Sequence, residues 1–319
     1  MGMTLSSGVV LTGGIQFYSE VVTADPLILA EIYNTTNTTA NTGTFTVPAG
    51  YTQLTVFACG GGGSSGYQGS VDNGSGAGGG GAANISGFTI AVTSGDIISY
   101  SVGAGGTIAS TTNNGGAGGN TTLTRSGTTL LNLGGGSGGI RNGGAGGAGG
   151  IVNTGSGVSG GAGGNGATRA SGGQTAGGNV TNGCAGGGGG GAHVSNKTGM
   201  AGGSNTVDVG TKNFGSISLS FNGGAGGAAG TPRSSGNAAP ENIELARGGY
   251  GTDQDNNTGA GGGAGRGIQP VVNGTTNTNF YGAGGGGNRA YVVGYTASYD
   301  GRGAGGCLLY TSPSPRDAT

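Results

Sequence analysis

Few residues in this 319-residue chain could do chemistry, and none stands in the pattern that chemistry needs. Catalysis requires a poised acid, base, nucleophile or metal. The single histidine, His193, sits at the edge of a glycine run beside Val194, where an imidazole is more readily solvated or hydrogen-bonded than set up as a base. Cys59 and Cys184 lack Cys-x-x-Cys or Cys/His ligand spacing and read as buried free thiols, with a disulfide between them left open. Counting Cys307 the total is odd, which gives no disulfide framework. Gly-x-Gly-x-x-Gly matches recur by chance at this glycine content, no Gly-Lys dipeptide exists to make a P-loop, and no helical pattern follows any glycine run.

Calcium comes closest. Gly248-Gly249-Tyr250-Gly251-Thr252-Asp253 opens like the nonapeptide of a β-roll, but Asp255 stands where a large apolar residue belongs, and the motif occurs once instead of in tandem. As an EF-hand loop, Asp253, Asp255 and Asn257 are correctly spaced, whereas Thr258 replaces the required glycine and Ala264 the bidentate glutamate. Asp253 and Asp255 are the only metal candidates, and a solvated acidic loop tip is the better reading. The chain is expected to be a non-enzyme with neither metal nor cofactor.

The charges exclude further classes. Eleven Lys plus Arg against 12 Asp plus Glu give a formal net charge of -1, so there is no electrostatic footprint for nucleic acid. No segment approaches the roughly 18 apolar residues of a membrane span, and the opening MGMTLSSGVVLTGG has neither the basic region nor the apolar region of a signal peptide. The aromatics are more informative. In RAYVVGYTASY, Arg289, Tyr291, Tyr295 and Tyr299 share one face of an extended strand. Tyrosine offers a flat apolar body with a polar edge at low entropic cost, which suits a contact surface. With Tyr250, Phe280 and Tyr281 these residues are the receptor-binding candidates, against the alternative that the rings cap or cover the rest of the fold.

What must position such residues is unusual. Glycine supplies 88 of 319 residues and charged residues only 7%. From Gly134 to Gly191 almost nothing could build a side-chain core. Collagen is excluded because glycine does not fall at every third position and there are only 7 prolines. A flexible linker of this length would carry more charge and fewer apolar inserts such as Ile151-Val152. The remaining solution is an array of extended three-fold polyglycine II helices, whose outward N–H and C=O groups bond to neighbours of the same kind. The units Gly115–Gly119, Gly143–Gly147, Gly146–Gly150, Gly160–Gly164 and Gly223–Gly227, each Gly-Gly-Ala-Gly-Gly, fit that demand, with alanine the largest group expected inside. Polar or aromatic segments between the units read as loops.

Strand patterns flank the array. Phe45 and Val47, then Leu54, Val56 and Ala58, alternate about Pro48-Ala49-Gly50 and predict a hairpin; Phe88–Val92 and Ile98–Val102 about Ser94-Gly95-Asp96 predict a second. A third runs from Thr121 to Leu133 around Ser126-Gly127. Ile217, Leu219 and Phe221 alternate with serines in a later strand, and Ile15–Val22 and Leu27–Tyr33 read as short strands, the second alternatively as one helical turn.

The order TGTFTVPAGYTQLTVFACGGGG, GFTIAVTSGDIISYSVGAGG and repeated GGAGG blocks, over Thr44 to Gly306, resembles the glycine-rich domain of bacteriophage tail fibres and tail-tip adhesins. The resemblance implies a mainly β fold with irregular segments and essentially no α-helix, a small β-hairpin domain packed with a polyglycine II array. It also implies loops that contact a bacterial surface receptor, a polysaccharide or outer-membrane protein. Other tail-fibre subunits would be partners, and the location would be the virion. The alternative is a secreted, extracellular glycine-rich wall or matrix protein without a specific receptor. The expected division is 1–43 for an attachment segment and polar linker, 44–133 for the β-hairpin domain with the first glycine runs, and 134–306 for the polyglycine II array with variable loops. The last residues, CLLYTSPSPRDAT, resemble a translated transposase-type sequencing adapter, so 307–319 are read as an adapter artefact, with an ordinary proline-containing tail as the alternative.

Overall fold

Alternating apolar residues make the strands of this protein and glycine runs make the segments between them. The computed structural model describes residues 28–33, 39–66, 76–107, 114–141, 143–166, 173–184, 186–187, 200–214, 217–228, 264–287 and 303–312. Among these residues there is no helix, and the chain is mainly β as expected. In chain order the strands are β1 (Ile28–Tyr33), β2 (Asn41–Thr46), β3 (Gln53–Cys59), β4 (Asn84–Ala91), β5 (Ile97–Val102), β6 (Thr121–Arg125) and β7 (Thr128–Leu133). They continue with β8 (Val152–Thr154), β9 (Asn205–Phe214), β10 (Ile217–Gly224), β11 (Gln269–Val272), β12 (Thr275–Thr276) and β13 (Cys307–Ser312).

Three antiparallel sheets stack in layers. The middle sheet runs β1-β13-β3-β4, one outer sheet β2-β5-β6-β7-β8, and the other β12-β11-β10-β9. Period-two alternation explains the stacking. Leu54, Val56, Ala58, Leu308 and Tyr310 point from the middle sheet into a cluster with Ile98, Val102, Leu123, Leu131 and Leu133. Phe57, Cys59, Cys307 and Leu309 point the other way, onto Ile217, Leu219, Phe221, Ile268 and Tyr281. β3 is therefore apolar on both faces, and its run QLTVFAC is buried almost throughout.

Only one of the first three expected hairpins pairs as expected. β6 and β7 pair through Ser126 (φ 48°) and Gly127 (φ 79°), the left-handed pair of a type I′ turn. By contrast β2 pairs with β5, and β3 with β4 and β13, so Pro48-Ala49-Gly50 and Ser94-Gly95-Asp96 carry the chain from one sheet to the other. The alternation of Phe45/Val47 with Leu54/Val56 marks inward faces across a sandwich, and the strands bearing them lie face to face instead of side by side. Val47 N–H donates to the Asp96 carbonyl (2.8 Å) and Gly95 N–H to the Val47 carbonyl (2.8 Å), which joins the two crossings. Residues after Gly306 form part of the middle sheet. Cys307–Ser312 fill the gap between β1 and β3, because Leu308 and Tyr310 supply one apolar face and Cys307 and Leu309 the other.

The glycine runs are three-fold helices in a lattice. Residues 76–83 show the rule. Ala77, Gly80 and Ala83 donate to the carbonyls of Ile140, Ser137 and Gly134; Gly78 and Gly81 to Gly164 and Gly161; Gly79 and Ala82 to Gly285 and Gly282. Every third residue thus meets the same neighbour, the signature of three residues per turn. In return Gly63, Gly147 and Gly187 donate to the carbonyls of Gly80, Gly78 and Gly79. This helix is surrounded by six others: 60–66, 134–140, 147–150, 161–164, 186–187 and 282–285. At many of the glycine positions a side chain cannot enter. A Cβ on Gly80 would collide with the Ala148 carbonyl, one on Gly136 with Gly80, and one on Gly163 with Gly78. Lattice bonds such as Gly80 to Ser137 and Gly118 to Gly136 join the first glycine runs to those after residue 133, and β8 to β12 also follow that residue.

The alanines of the Gly-Gly-Ala-Gly-Gly units correct the expectation that they lie inside. Ala117, Ala145, Ala148, Ala162 and Ala225 are exposed. Non-glycine residues instead fall every third position on the open side, as Asn114, Ala117, Asn120 and as Ser159, Ala162, Asn165. Alanine does lie inside elsewhere: Ala77, Ala82 and Ala83 are buried in helix 76–83, and Ala264, Ala283 and Ala304 within the apolar cluster around Tyr281.

Candidate functional site

The strand layers hold one end of the lattice. Seven outward-and-return pairs leave it, 60–66/76–83, 103–107/114–120, 134–140/144–150, 160–166/173–180, 184–187/200–204, 224–228/264–267 and 282–287/303–306. Their inner ends lie at the sheets: Gly60 donates to Ala83 (3.0 Å), Ala83 to Gly134 (2.9 Å) and Gly306 to Gly103 (2.8 Å). Their outer ends meet one another. Gly66 donates to Ala77 (3.0 Å), Ala77 to Ile140 (3.0 Å), Ile140 to Ala145 (3.0 Å), Gly166 to Gly144 (3.0 Å), Gly164 to Gly187 (2.7 Å) and Gly227 to Ala264 (2.8 Å). Every connection from an outward leg to its return leg therefore starts and finishes at the end of the molecule opposite the sheets.

Polar side chains finish that end. The Ser64 hydroxyl accepts the Gly116 N–H (2.8 Å) and lies against the Thr107 carbonyl. Asn114 Oδ1 accepts the Arg141 N–H (3.2 Å), and Asn165 Oδ1 accepts the Gly146 N–H (3.1 Å). These asparagines stand in for a lattice neighbour where the array stops, satisfying N–H groups that would otherwise be orphaned. Their signal in sequence is the asparagine closing a glycine block, NGGAGGN at 114–120 and SGGAGGN at 159–165, and sequence reasoning missed it.

Of the expected contact residues, Phe280 and Tyr281 are corrected. Tyr281 is fully buried and Phe280 is 5% exposed, so neither ring can meet a receptor. Tyr281 stacks on Tyr33 with ring centroids 5.1 Å apart, and the Arg266 guanidinium lies 3.7 Å over the Phe280 ring. Burial pushes the Tyr281 phenol far above its ordinary acidity range, and burial does the same to Tyr33. Both rings sit at the sheet end, where Tyr281 pairs with Ile268, because the apolar faces of β3, β10 and β13 converge there. Tyr250, Arg289, Tyr291, Tyr295 and Tyr299 lie outside the described residues, as do Asp253, Asp255 and His193. Arg289 to Tyr299 fall between Gly287 and Gly303, and Tyr250, Asp253 and Asp255 between residues 228 and 264, four anchors at the outer end.

Nothing in the described residues is poised for chemistry. Cys59, Cys184 and Cys307 are free and fully buried, with Cys59 and Cys307 sulfurs 3.5 Å apart and the Cys184 thiol donating to the Tyr281 carbonyl at 3.5 Å. Burial raises the Cys59 thiol well above its ordinary value; contact with Cys59, then burial, raises Cys184, so both stay protonated and unreactive. Among the described residues no three metal-ligating side chains converge.

A strand layer that feeds glycine helices and takes them back is thus the repeated unit of the described residues. Residues 36–183 match the family of the glycine-rich domain. No curated protein matches the chain. The match begins just before β2 and ends at the turn after helix 173–180, so it spans four of the outward-and-return pairs. The lattice runs on past residue 183: Gly164 to Gly187 and Gly79 to Gly285 are bonds that cross the limit of the match. Among the described residues no helix is long and apolar enough to cross a membrane.

Proposed function

We propose that this protein is a non-enzymatic receptor-binding component of a bacteriophage tail fibre, located on the virion, which presents loops on a rigid glycine frame to a bacterial surface polysaccharide or outer-membrane protein. The observation that carries the reading is the gathering of all seven connections at the end opposite the sheets. A frame built this way separates two tasks. Strands and glycine lattice hold the shape, and residues between the legs are free to differ without disturbing it. The set Arg289, Tyr291, Tyr295 and Tyr299 lies on one such connection, where the flat amphipathic tyrosine rings would add contact area at low entropic cost. Attachment to other tail-fibre subunits would use the sheet end, and several fibres per particle would multiply a modest single-site affinity.

The test is direct binding. Fluorescently labelled full chain should bind intact cells of susceptible strains in a panel. Exchange of residues 288–302 for a Gly-Ser connector of equal length should abolish binding while the thermal melt is unchanged. Binding to no strain, or undiminished binding after exchange of every outer connection, overturns the reading.

A further inference from the structure

The glycine lattice begins and ends at a thiol. Cys59 closes β3 and passes directly into the first outward leg at Gly60, and Cys307 opens β13 directly after the last return leg at Gly306. All seven outward-and-return pairs therefore lie between these two residues, which are 248 apart in sequence. The fold brings them together. Cys59 and Cys307 are register partners in the antiparallel β3–β13 pair, both are fully buried, and their sulfurs lie 3.5 Å apart. Directly opposite residues of an antiparallel pair have Cα atoms about 4.5 to 5.5 Å apart, inside the roughly 4.4 to 6.8 Å that a disulfide spans. Neighbouring groups fix that arrangement: the Thr121 hydroxyl donates to the Cys59 carbonyl (2.7 Å) and accepts the Gly103 N–H (3.0 Å), and Gly306 N–H donates to the Gly103 carbonyl (2.8 Å). Cys184 is the third thiol of the cluster, but it lies outside any strand and its Sγ is turned to the Tyr281 carbonyl at 3.5 Å.

We propose that Cys59 and Cys307 form a disulfide when the chain folds in an oxidising medium, and that this bond closes the whole glycine lattice into one covalent loop. The oxidant is a low-molecular-weight disulfide such as oxidised glutathione. While the last strand is still undocked, the Cys307 thiolate attacks one glutathione sulfur, the glutathione S–S bond breaks and one glutathione thiolate leaves. The Cys59 thiolate then attacks the Cys307 sulfur of the mixed disulfide, the Cys59–Cys307 bond forms and the second glutathione thiolate leaves. Two protein thiols are oxidised, one disulfide is reduced to two thiols, and the two protons end on glutathione. After docking neither sulfur is accessible, so the folded chain keeps the state in which it folded. The bond depends on the Cys307 side chain and not on the origin of the segment that carries it. Placed here, a cross-link restricts the unfolded chain across all seven pairs and stabilises the lattice without touching a single glycine.

Refolding of the full chain from denaturant tests this. Dilution into a glutathione redox buffer should lower the titratable thiols from three per chain to one. The product should be lighter by two hydrogens, show a non-reduced peptide map that joins Cys59 to Cys307, and melt above the chain refolded with reductant. The folded, reduced chain placed in the same buffer should keep all three thiols. Cys307→Ala should remove the link, and Cys184→Ala should keep it. Three thiols after oxidative refolding, glutathione adducts without a cross-link, or a link through Cys184 overturn the proposal, as does a linked chain that melts no higher than the reduced one. Ready oxidation of the folded chain overturns the sealing of the pair. If the chain does not refold from denaturant, expression with export to an oxidising compartment takes the place of dilution and is read by the same peptide map and melt.

Discussion

At the scale of single residues, the lattice depends on what glycine lacks. Gly80 sits in the helix with six neighbours, and a methyl there meets the Ala148 carbonyl with no flexible side chain to give way. Gly80→Ala should destabilise the protein by at least the roughly 1 to 3 kcal/mol of an overpacked core, even though the same change on a free chain would reduce unfolded-state entropy and stabilise. Ala145→Ser, exposed on the open face, should stay within about 0.5 kcal/mol of wild type. Denaturant midpoints of the two variants check the contrast, and equal midpoints would mean that the lattice yields. Tyr281 tests the opposite feature, a side chain that the fold buries completely. Burial holds its folded pKa above that of the unfolded chain, which ionises near pH 10. Stability is therefore fully present below about pH 10 and falls as pH rises further, because the unfolded state releases a proton that the folded state keeps. Tyr281→Phe should flatten the decline of melting temperature between about pH 10 and 11; an unchanged slope would show that the phenol reaches solvent.

Elements show which parts of the architecture a sequence reveals. The β6–β7 hairpin is legible because Ser126-Gly127 is a local instruction, two left-handed residues between alternating strands. The crossings after Thr46 and after Ala91 are not, because alternation states which side of a strand is apolar and is silent on whether its partner lies beside it or across the core. Phe45 beside Ile98, and Leu54 beside Ile90, are long-range choices made by how three layers stack. The lattice was legible as a type of packing, since few charges and repeated Gly-Gly-Ala-Gly-Gly left backbone bonding as the only source of order. Its sidedness was not. A period of three fixes that Asn114, Ala117 and Asn120 share a face, but only the neighbours decide that the face is open. Phe280 and Tyr281 were misplaced for a related reason: they follow a polar stretch, TTNTN, that reads as a surface loop, whereas Tyr281 returns into the cluster of Phe221 and Leu309.

Across the whole molecule the glycine helices and the strands need each other. A lattice hydrogen bond contributes only about 0.5 to 1.5 kcal/mol net, whereas ordering one residue costs about 1 to 2 kcal/mol, so polyglycine without a side-chain core is not self-supporting. The sheets supply the apolar burial and fix the inner ends of the legs, and a leg once started is guided by neighbours on up to six sides. At residues 228 and 264 the Gly227 N–H already bonds the Ala264 carbonyl at 2.8 Å, so the legs are closed before the connection between them begins. Replacing residues 229–263 by a connector of about five residues, a common length for links between adjacent elements, should preserve the cooperative melt, and shorter closure should if anything raise it, since loop entropy grows with length. Scanning calorimetry of that variant reads the outcome directly. A lost or broadened transition would mean that the segment helps hold the frame, and the division between a fixed frame and exchangeable outer connections would fail with it.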